Sequence, residues 1–338
     1  VCSSDLNNAN KDSIYFSGFT KGFFQLEGKY HHYRMSEGHR LKESTLDSYQ
    51  KNLDLYIDPY FKEFLLKKIS RKDVLAFRSS LMVEHRLNPR TAKNIFKNFR
   101  SILKYALQEE LINSDCSLGI SIVVPKRVKN QIITLGEIQK LWKCKWTDNR
   151  VRLATLLAAS TGARRGEIIA LRWKDINFEN YRVHIGGSWY SKYKRTTTKN
   201  WEERKTYMSP EICEDLKLYR KLSPCNKDED FLFPSTIEGV RPISVKRLDH
   251  VFHKALKEIG IDEEERRSRK VTFHNLRHRL ITVLHENRVS PLAIRAMVGH
   301  ADDDIEYDYY HGNGEEVVSI LSSVFNSGQL PPLRDAAV

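Results

Sequence analysis

Cysteine is scarce in this sequence, and the few cysteines form no recognisable pattern. There are five in 338 residues, an odd number, and they are widely spaced without a Cys-x-x-Cys pair. This spacing argues against a disulfide framework, while the lack of a Cys/His cluster or a carboxylate pair argues against a zinc site or a two-metal nuclease. We therefore expect reduced, mostly structural thiols in a cytosolic protein. The cysteines are Cys2, Cys116, Cys144, Cys213 and Cys225.

Long apolar runs are missing too. The stretch Leu153–Ala159 is among the longest, whereas a membrane-spanning helix needs about 20 apolar residues. No signal peptide is visible, so neither a membrane partner nor secretion is expected. The chain begins at Val1 without a methionine, and Val1–Lys11 matches no structural pattern. We expect this end to be truncated or foreign.

Acidic residues are too few to balance the basic ones. Asp and Glu number 43 against 56 Lys and Arg, which leaves a net charge of +13 and a pI near 9.4. A strongly basic chain favours a polyanionic partner, and nucleic acid is the default candidate. Many soluble proteins are also basic, so charge alone leaves the question open. The length allows two domains.

The first part of the chain, residues 20–120, has helix signals and few strand signals. Ser44 precedes helix-forming sequence and is a predicted N-cap, and a second helix is predicted to follow Ser70. Residues 1–19 receive no assignment.

A basic linker is predicted at residues 121–131, where Pro125 lies among Lys and Arg residues. After it, Thr134 with Glu137 three residues further on predicts a capped helix. The end of the chain, residues 327–338, is expected to be a flexible tail.

The most informative helix of the first part follows Asn88, which suits an N-cap, with Pro89 in the first helical position. An apolar stripe at helical spacing predicts its buried side. On another face basic residues recur at intervals of three and four, without an acid before Glu109. A basic stripe is usually only a solvated face, but the missing acids favour contact with phosphates. The apolar stripe is Ile95, Phe99, Ile102, Leu103 and Ala106, and the basic stripe is Arg90, Lys93, Lys97, Arg100 and Lys104.

The second half of the chain contains a set of polar residues that suits one chemistry. Fixed cations, imidazoles and a phenol fit attack by a tyrosine on a phosphodiester, because preorganised Arg and Lys donors stabilise the charge of the five-coordinate transition state without a metal. A phenol has an ordinary pKa near 10, so it needs such neighbours to become reactive. The set is Arg164, Lys199, His274, Arg277, His300 and Tyr309, with Tyr310 directly behind.

These residues lie in motifs that follow one another in a known order. Arg164 lies in Thr-Gly-Ala-Arg-Arg-Gly-Glu, His274 begins His-Asn-Leu-Arg-His, and His300 ends Met-Val-Gly-His. Tyr309-Tyr310-His311 then follows. Each motif alone is weak, but together they resemble the tyrosine recombinase (phage integrase) family, whose signature is T-G-x-R-x-x-E, a hairpin lysine, H-x-L-R-H, G-H and a C-terminal tyrosine. The resemblance covers roughly residues 20–325.

The resemblance implies a mainly helical (α+β) chain. Residues 20–120 would form a helical, SAM-like core-binding domain, and residues 132–326 a mixed, mostly helical catalytic domain with a small antiparallel sheet. Two segments fit strands of that sheet, Tyr181–Ile185 and Arg204–Met208. An apolar-rich segment, Gly314–Phe325, resembles the tail that family members dock onto a neighbouring protomer, and packing onto its own domain is an equal alternative.

The function implied by the resemblance is site-specific recombination of double-stranded DNA for a phage or integrative mobile element. The two domains would close around the duplex, and a 3′-phosphotyrosyl link would conserve bond energy, so no ATP, other cofactor or metal is implied. Four protomers would hold a Holliday junction. An accessory DNA-bending protein is a possible further partner, and the expected location is the nucleoid in the cytoplasm. Whether an arm-type DNA-binding domain once preceded Val1 stays open.

The motif spacing also selects among neighbouring residues. The T-G-x-R spacing selects Arg164 over Arg165. Lys199 precedes the basic pair Arg204-Lys205 by five and six residues, as the family's catalytic lysine does, and its implied role is to protonate the leaving 5′ oxygen. His300 is expected to donate to a non-bridging phosphate oxygen.

The nucleophile is assigned to Tyr309, with Tyr310 as the alternate. Tyr309 has the family spacing from His300 and precedes His311 by two, whereas Tyr310 fits a variant with an Asp two residues before the tyrosine, here Asp308. Two other functions stay open: strand cleavage by a type IB topoisomerase, and a non-catalytic DNA-binding relic.

Overall fold

The computed structural model describes residues 13–126, 131–190, 194–196, 203–235, 241–299 and 314–325. The chain divides into two compact units, Val1–Val128 and Lys129–Val338, and each has its own hydrophobic core. Within the described ranges no helix is both long and apolar enough to cross a membrane. The cysteines in these ranges are free thiols, namely Cys116, Cys144, Cys213 and Cys225.

The first unit is built of helices around an aromatic core. Phe61 and Phe99 stack with ring centroids 4.6 Å apart, and Phe77 packs edge-on against Phe61. Its helices are α1 (Phe16–Thr20), α2 (Lys29–Ser36), α3 (Glu43–Asn52), α4 (Asp58–Phe61), α5 (Arg71–Val83) and α6 (Pro89–Gln108), with a π-helical turn at Leu53–Ile57 and a 3-10 turn at Leu66–Lys68.

Local sequence explains where most of these helices begin. Ser70 and Asp73 form a capping box at α5, and the Asn88 side chain accepts from the Arg90 amide at 3.0 Å at α6. The prediction for Ser44 was wrong, because α3 begins at Glu43 and its N-cap, Lys42, lies two residues before Ser44. Lys42 occupies the N-cap position without a side-chain bond, and the carboxylate of Glu43 suits the first turn of a helix.

Helix α6 has the two faces that its sequence predicts. The apolar stripe is fully buried, and the basic stripe lies outside, with Arg100 half-buried and its other members exposed.

The packed part of the first unit is longer than expected at both ends. Phe16 is fully buried against Phe61 and Phe99, so the unit begins before residue 20. Ile120 and Ile122 also belong to its core, so part of the expected linker is packed. In both places apolar side chains gain burial that local helix and linker signals do not reveal.

The second unit surrounds α8, whose residues from Val151 to Thr161 are all buried. The Thr134–Glu137 capping box begins its first helix, as predicted. Its helices are α7 (Leu135–Lys143), α8 (Asn149–Thr161), α9 (Arg165–Ala170), α10 (Pro210–Leu222), α11 (Val245–Glu258), α12 (Glu263–Arg269), α13 (His274–Glu286), α14 (Pro291–Val298) and α15 (Gly314–Phe325), with a 3-10 turn at Trp173–Asp175.

Short antiparallel sheets complete this unit. The strands are β1 (Ile176–Asn177), β2 (Arg182–Ile185), β3 (Ser188–Tyr190), β4 (Lys194–Thr196) and β5 (Arg204–Tyr207). They pair in the orders β1-β2-β5 and β3-β4, with Ile185 opposite Arg204. The mainly helical fold with a small antiparallel sheet is therefore confirmed.

The last described helix, α15, packs onto its own unit. Val317 and Leu321 are buried in the second core, and the Ser322 hydroxyl donates to Glu211 of α10 at 2.8 Å. The Gln139 amide of α7 also donates to the Val324 carbonyl at 3.4 Å. In this chain the apolar segment thus covers its own domain. The expected tail, residues 327–338, lies outside the described residues.

Candidate active site

Arg164 lies where α8 ends and α9 begins. Gly162 ends α8 with a φ of 65°, a left-handed conformation that favours glycine. A Cβ at Gly162 would lie only 3.0 Å from a Leu280 methyl and 3.1 Å from a Val298 methyl. Arg164 is then the extended residue before α9, and 23% of its side chain is exposed. The break between the helices thus turns Arg164 outward from the buried end of α8.

The carboxylate of Glu167 holds Arg164 in place. It accepts from the Arg164 backbone amide at 2.8 Å and from the guanidinium Nη1 at 2.9 Å. Glu167 is 1% exposed, and such burial alone would raise its pKa. The hydrogen bonds and charge of Arg204, followed by those of Arg164, outweigh burial and lower the pKa of Glu167 to about 2. The carboxylate therefore stays charged at neutral pH.

Arg204 is the second partner of Glu167. Its Nη2 donates to Glu167 Oε2 at 2.6 Å, its Nη1 to Oε1 at 3.3 Å, and its Nε to the Met297 carbonyl of α14 at 3.0 Å. This side chain joins β5, α9 and α14. Gly299 packs directly on it, since a Cβ at Gly299 would lie 3.0 Å from Arg204 Cδ.

Arg277 reaches the same place from α13. Its Nη1 donates to the Gly162 carbonyl at 2.8 Å, and the residue is 2% exposed. The buried Nη2 has no hydrogen-bond partner among the described residues. Burial, followed by the charges of Arg164 and Arg204, lowers the pKa of the Arg277 guanidinium to about 9, so it stays protonated at neutral pH.

His274 begins α13, one turn before Arg277. Its side chain is exposed, and its ring meets that of His278 edge-on with centroids 4.7 Å apart. The Asn275 side chain secures this helix start by accepting from the Thr272 amide at 2.6 Å and hydroxyl at 2.9 Å. His274 and Arg277 therefore share one end of α13, as the spacing of three residues predicts.

The structure brings together Arg164, which shares the Glu167 carboxylate with Arg204, and Arg277, which donates to a backbone carbonyl. Arg164 Nη2 also donates to the Gly299 carbonyl at 3.2 Å, so the residue before His300 touches Arg164. Arg165, by contrast, pairs with Asp249 of α11, and 43% of the Arg165 side chain is exposed. The remaining expected site residues lie outside the described residues: Lys199, His300, Tyr309 and Tyr310.

Glu167 and Arg204 were not assigned as site residues from the sequence. The signature T-G-x-R-x-x-E contains Glu167, and Arg204 begins the basic pair that follows Lys199, but neither pattern shows what these side chains contact. Their burial against each other is the property that the sequence does not reveal, because it arises between residues 37 positions apart.

The sequence and the fold are similar to those of known proteins. Residues 130–316 match the phage integrase family, and residues 30–82 match its N-terminal SAM-like domain. The tyrosine recombinase XerD of Oceanobacillus iheyensis is 27% identical over 298 residues, covering 85% of this chain and 93% of that protein. The integrase of Staphylococcus phage L54a is 25% identical over 309 residues, covering 80% of this chain and 82% of that protein.

The same fold occurs among solved structures. A lambda integrase tetramer bound to a Holliday junction has a TM-score of 0.66 at 19% identity, covering 89% of this chain and 83% of that one. The chain therefore belongs to the phage integrase family, the class of tyrosine recombinases that transfer DNA strands.

Because Gly299 packs against Arg204, adding one methyl group at Gly299 should lower the free energy of unfolding strongly. Gly299→Ala adds left-handed strain, about 1–2 kcal/mol, and also pushes the Arg204 side chain off Glu167. Gly260→Ala is the matched control, because Gly260 has a φ of 94° but nothing within 4 Å of the added Cβ. Urea unfolding should give a lower free energy of unfolding for Gly299→Ala than for Gly260→Ala. Equal losses would contradict the proposed packing.

Proposed function

We propose that this chain cleaves and rejoins double-stranded DNA at specific sites, for a phage or another integrative mobile element. The observation that carries the proposal is Arg277, a buried and charged guanidinium whose Nη2 has no partner among the described residues. A buried, unpaired donor is costly, and a phosphate oxygen is the acceptor that suits a guanidinium best. With Arg164 beside it, the site is built to receive a phosphodiester.

The proposed reaction is phosphoryl transfer through the protein itself. The Tyr309 hydroxyl releases its proton to water as its oxygen attacks the scissile phosphorus, the bond to the 5′ oxygen breaks, and Lys199 supplies the proton that the leaving oxygen takes up. Arg164, Arg277, His274 and His300 stabilise the charge on the non-bridging oxygens. A free 5′ hydroxyl from a partner duplex then attacks the phosphotyrosine and restores the tyrosine. Each step replaces one phosphoester bond by another, so the cycle needs no ATP.

The proposal for DNA binding rests on α6. Lys93 and Lys97 are exposed on the basic stripe opposite the buried apolar stripe, and such a face suits the phosphate backbone. The lambda integrase tetramer on a Holliday junction supports a homotetramer as the active assembly on DNA. We further propose action at the nucleoid in the cytoplasm, with an accessory DNA-bending protein where the site requires one.

Tyr309→Phe should abolish the covalent protein–DNA adduct and leave DNA affinity nearly unchanged, because the hydroxyl is lost without a change of charge. The substrate is a nicked duplex taken from a pool with a randomised core and enriched by adduct formation on the wild-type protein. The adduct is measured as a band that survives denaturing electrophoresis.

Tyr310→Phe is the matched control and should keep the adduct. Adduct formation by Tyr309→Phe but not by Tyr310→Phe would transfer the nucleophile to Tyr310. No adduct with the wild-type protein on any duplex would indicate a non-catalytic DNA-binding protein. Adduct formation with relaxation of supercoiled DNA but without strand exchange would indicate a topoisomerase.

Replacing Lys93 and Lys97 together by Ala should weaken binding to all duplexes alike. Each lost phosphate contact lowers the slope of log affinity against log salt by about one unit, so a decrease of about one or two units is expected. Lys62→Ala with Lys72→Ala removes the same charge from exposed positions elsewhere in the unit and should leave the slope unchanged. Equal slopes for both double variants would mean that the α6 stripe is only a solvated face.

A further inference from the structure

Arg204 differs from the other two arginines of the site in having all its guanidinium nitrogens engaged inside the protein. Both terminal nitrogens donate to Glu167, and Nε donates to the Met297 carbonyl. Its side chain is only 2% exposed, against 23% for Arg164. Arg204 is therefore buried with each nitrogen bonded inside the protein, and it is not placed to contact DNA.

The charges of the cluster do not balance. Among the described residues, the guanidiniums of Arg164, Arg204 and Arg277 lie around the carboxylate of Glu167, and these four side chains together have a net charge of +2. Without Arg204, the same carboxylate would have Arg164 as its remaining hydrogen-bonded partner. A buried carboxylate left with one guanidinium pairs with it strongly, and a phosphate would then have to compete for Arg164.

We propose that Arg204 is a positioning residue that neutralises Glu167 and so leaves the charge of Arg164 available to the scissile phosphate. This proposal rests on the proposed function, since it concerns how the same site binds the scissile phosphate. Glu167 then orients Arg164 through the backbone amide and Nη1, while Arg204 offsets the negative charge that this orientation requires.

The contacts of Arg204 also explain why Arg164 faces the end of α14. Arg204 holds the Met297 carbonyl, and Gly299, two residues further on, packs against the Arg204 side chain. The carbonyl of that glycine accepts from Arg164 Nη2. One buried arginine thus fixes both acceptors of Arg164, the carboxylate on one side and the carbonyl on the other.

The test is a double-mutant cycle read out as the rate of adduct formation on the enriched nicked duplex at saturating concentration. Arg204→Met lowers the net charge of the cluster to +1 and should slow adduct formation by about 10²-fold, the scale for losing one preorganised donor. Affinity for the duplex should change by no more than a few fold. Adding Glu167→Gln restores +2 and should recover at least about 10-fold of the rate. Recovery would not be expected if Arg204 served only to hold the fold, because the second substitution removes further contacts.

Two further variants complete the design. Arg165→Met removes a neighbouring arginine that pairs with Asp249 outside the cluster and should keep the wild-type rate within about twofold. Arg204→Lys retains the positive charge, so its rate of adduct formation should stay within about 10-fold of wild type, on the scale of one hydrogen bond. If Arg204→Met does not fold, Arg204→Lys alone tests the proposal.

The outcomes separate the two proposals. Three results would each overturn the role of Arg204: a wild-type rate in Arg204→Met, a double variant as slow as Arg204→Met, or a loss of about 10²-fold in Arg204→Lys. In each case, adduct formation by the wild-type protein would still uphold the proposed function. Absence of the adduct in the wild-type protein itself would overturn the proposed function first.

Discussion

The carboxylate of Glu167 is shared by two arginines, and the geometry of the site depends on that sharing. Glu167 lies on α9, Arg204 on β5, and Arg204 in turn holds the end of α14. A buried carboxylate is stable only when it is well paired, so these three elements must meet around it. Their meeting brings Arg164 and the end of α14 together at the face that we propose receives the phosphate.

Helix ends orient the two arginines proposed to bind the phosphate without cancelling their charge. Arg277 donates to the carbonyl of Gly162 at the end of α8, and Arg164 to that of Gly299 at the end of α14. The C-terminus of a helix carries only a partial negative charge. Carbonyls therefore fix the guanidiniums in direction while leaving most of their charge for an anion, which a full set of carboxylates would not do.

Sequence patterns predict the features whose cause is local. The helix after Ser70, the capping box of α7, the two faces of α6 and the strands β2 and β5 all follow from neighbouring residues. The start of α3 was missed because its N-cap position holds Lys42, which makes no capping bond. The role of Phe16 and the burial of Glu167 with Arg204 could not be predicted, because each depends on contacts between distant segments. Motif order identified Arg164 and Arg277 but could not tell which of their neighbours hold them.

The central claim is that arginine side chains, rather than a metal ion, stabilise the charge on the phosphate. Its most direct test is the rate of adduct formation in excess EDTA for the wild-type protein and for Arg277→Ala, which removes the buried guanidinium whose Nη2 has no hydrogen-bond partner in the described part of the chain. The account predicts an unchanged wild-type rate in EDTA and a loss of about 10²–10³-fold in the variant. A wild-type rate that collapses on chelation and returns with Mg²⁺ would contradict it.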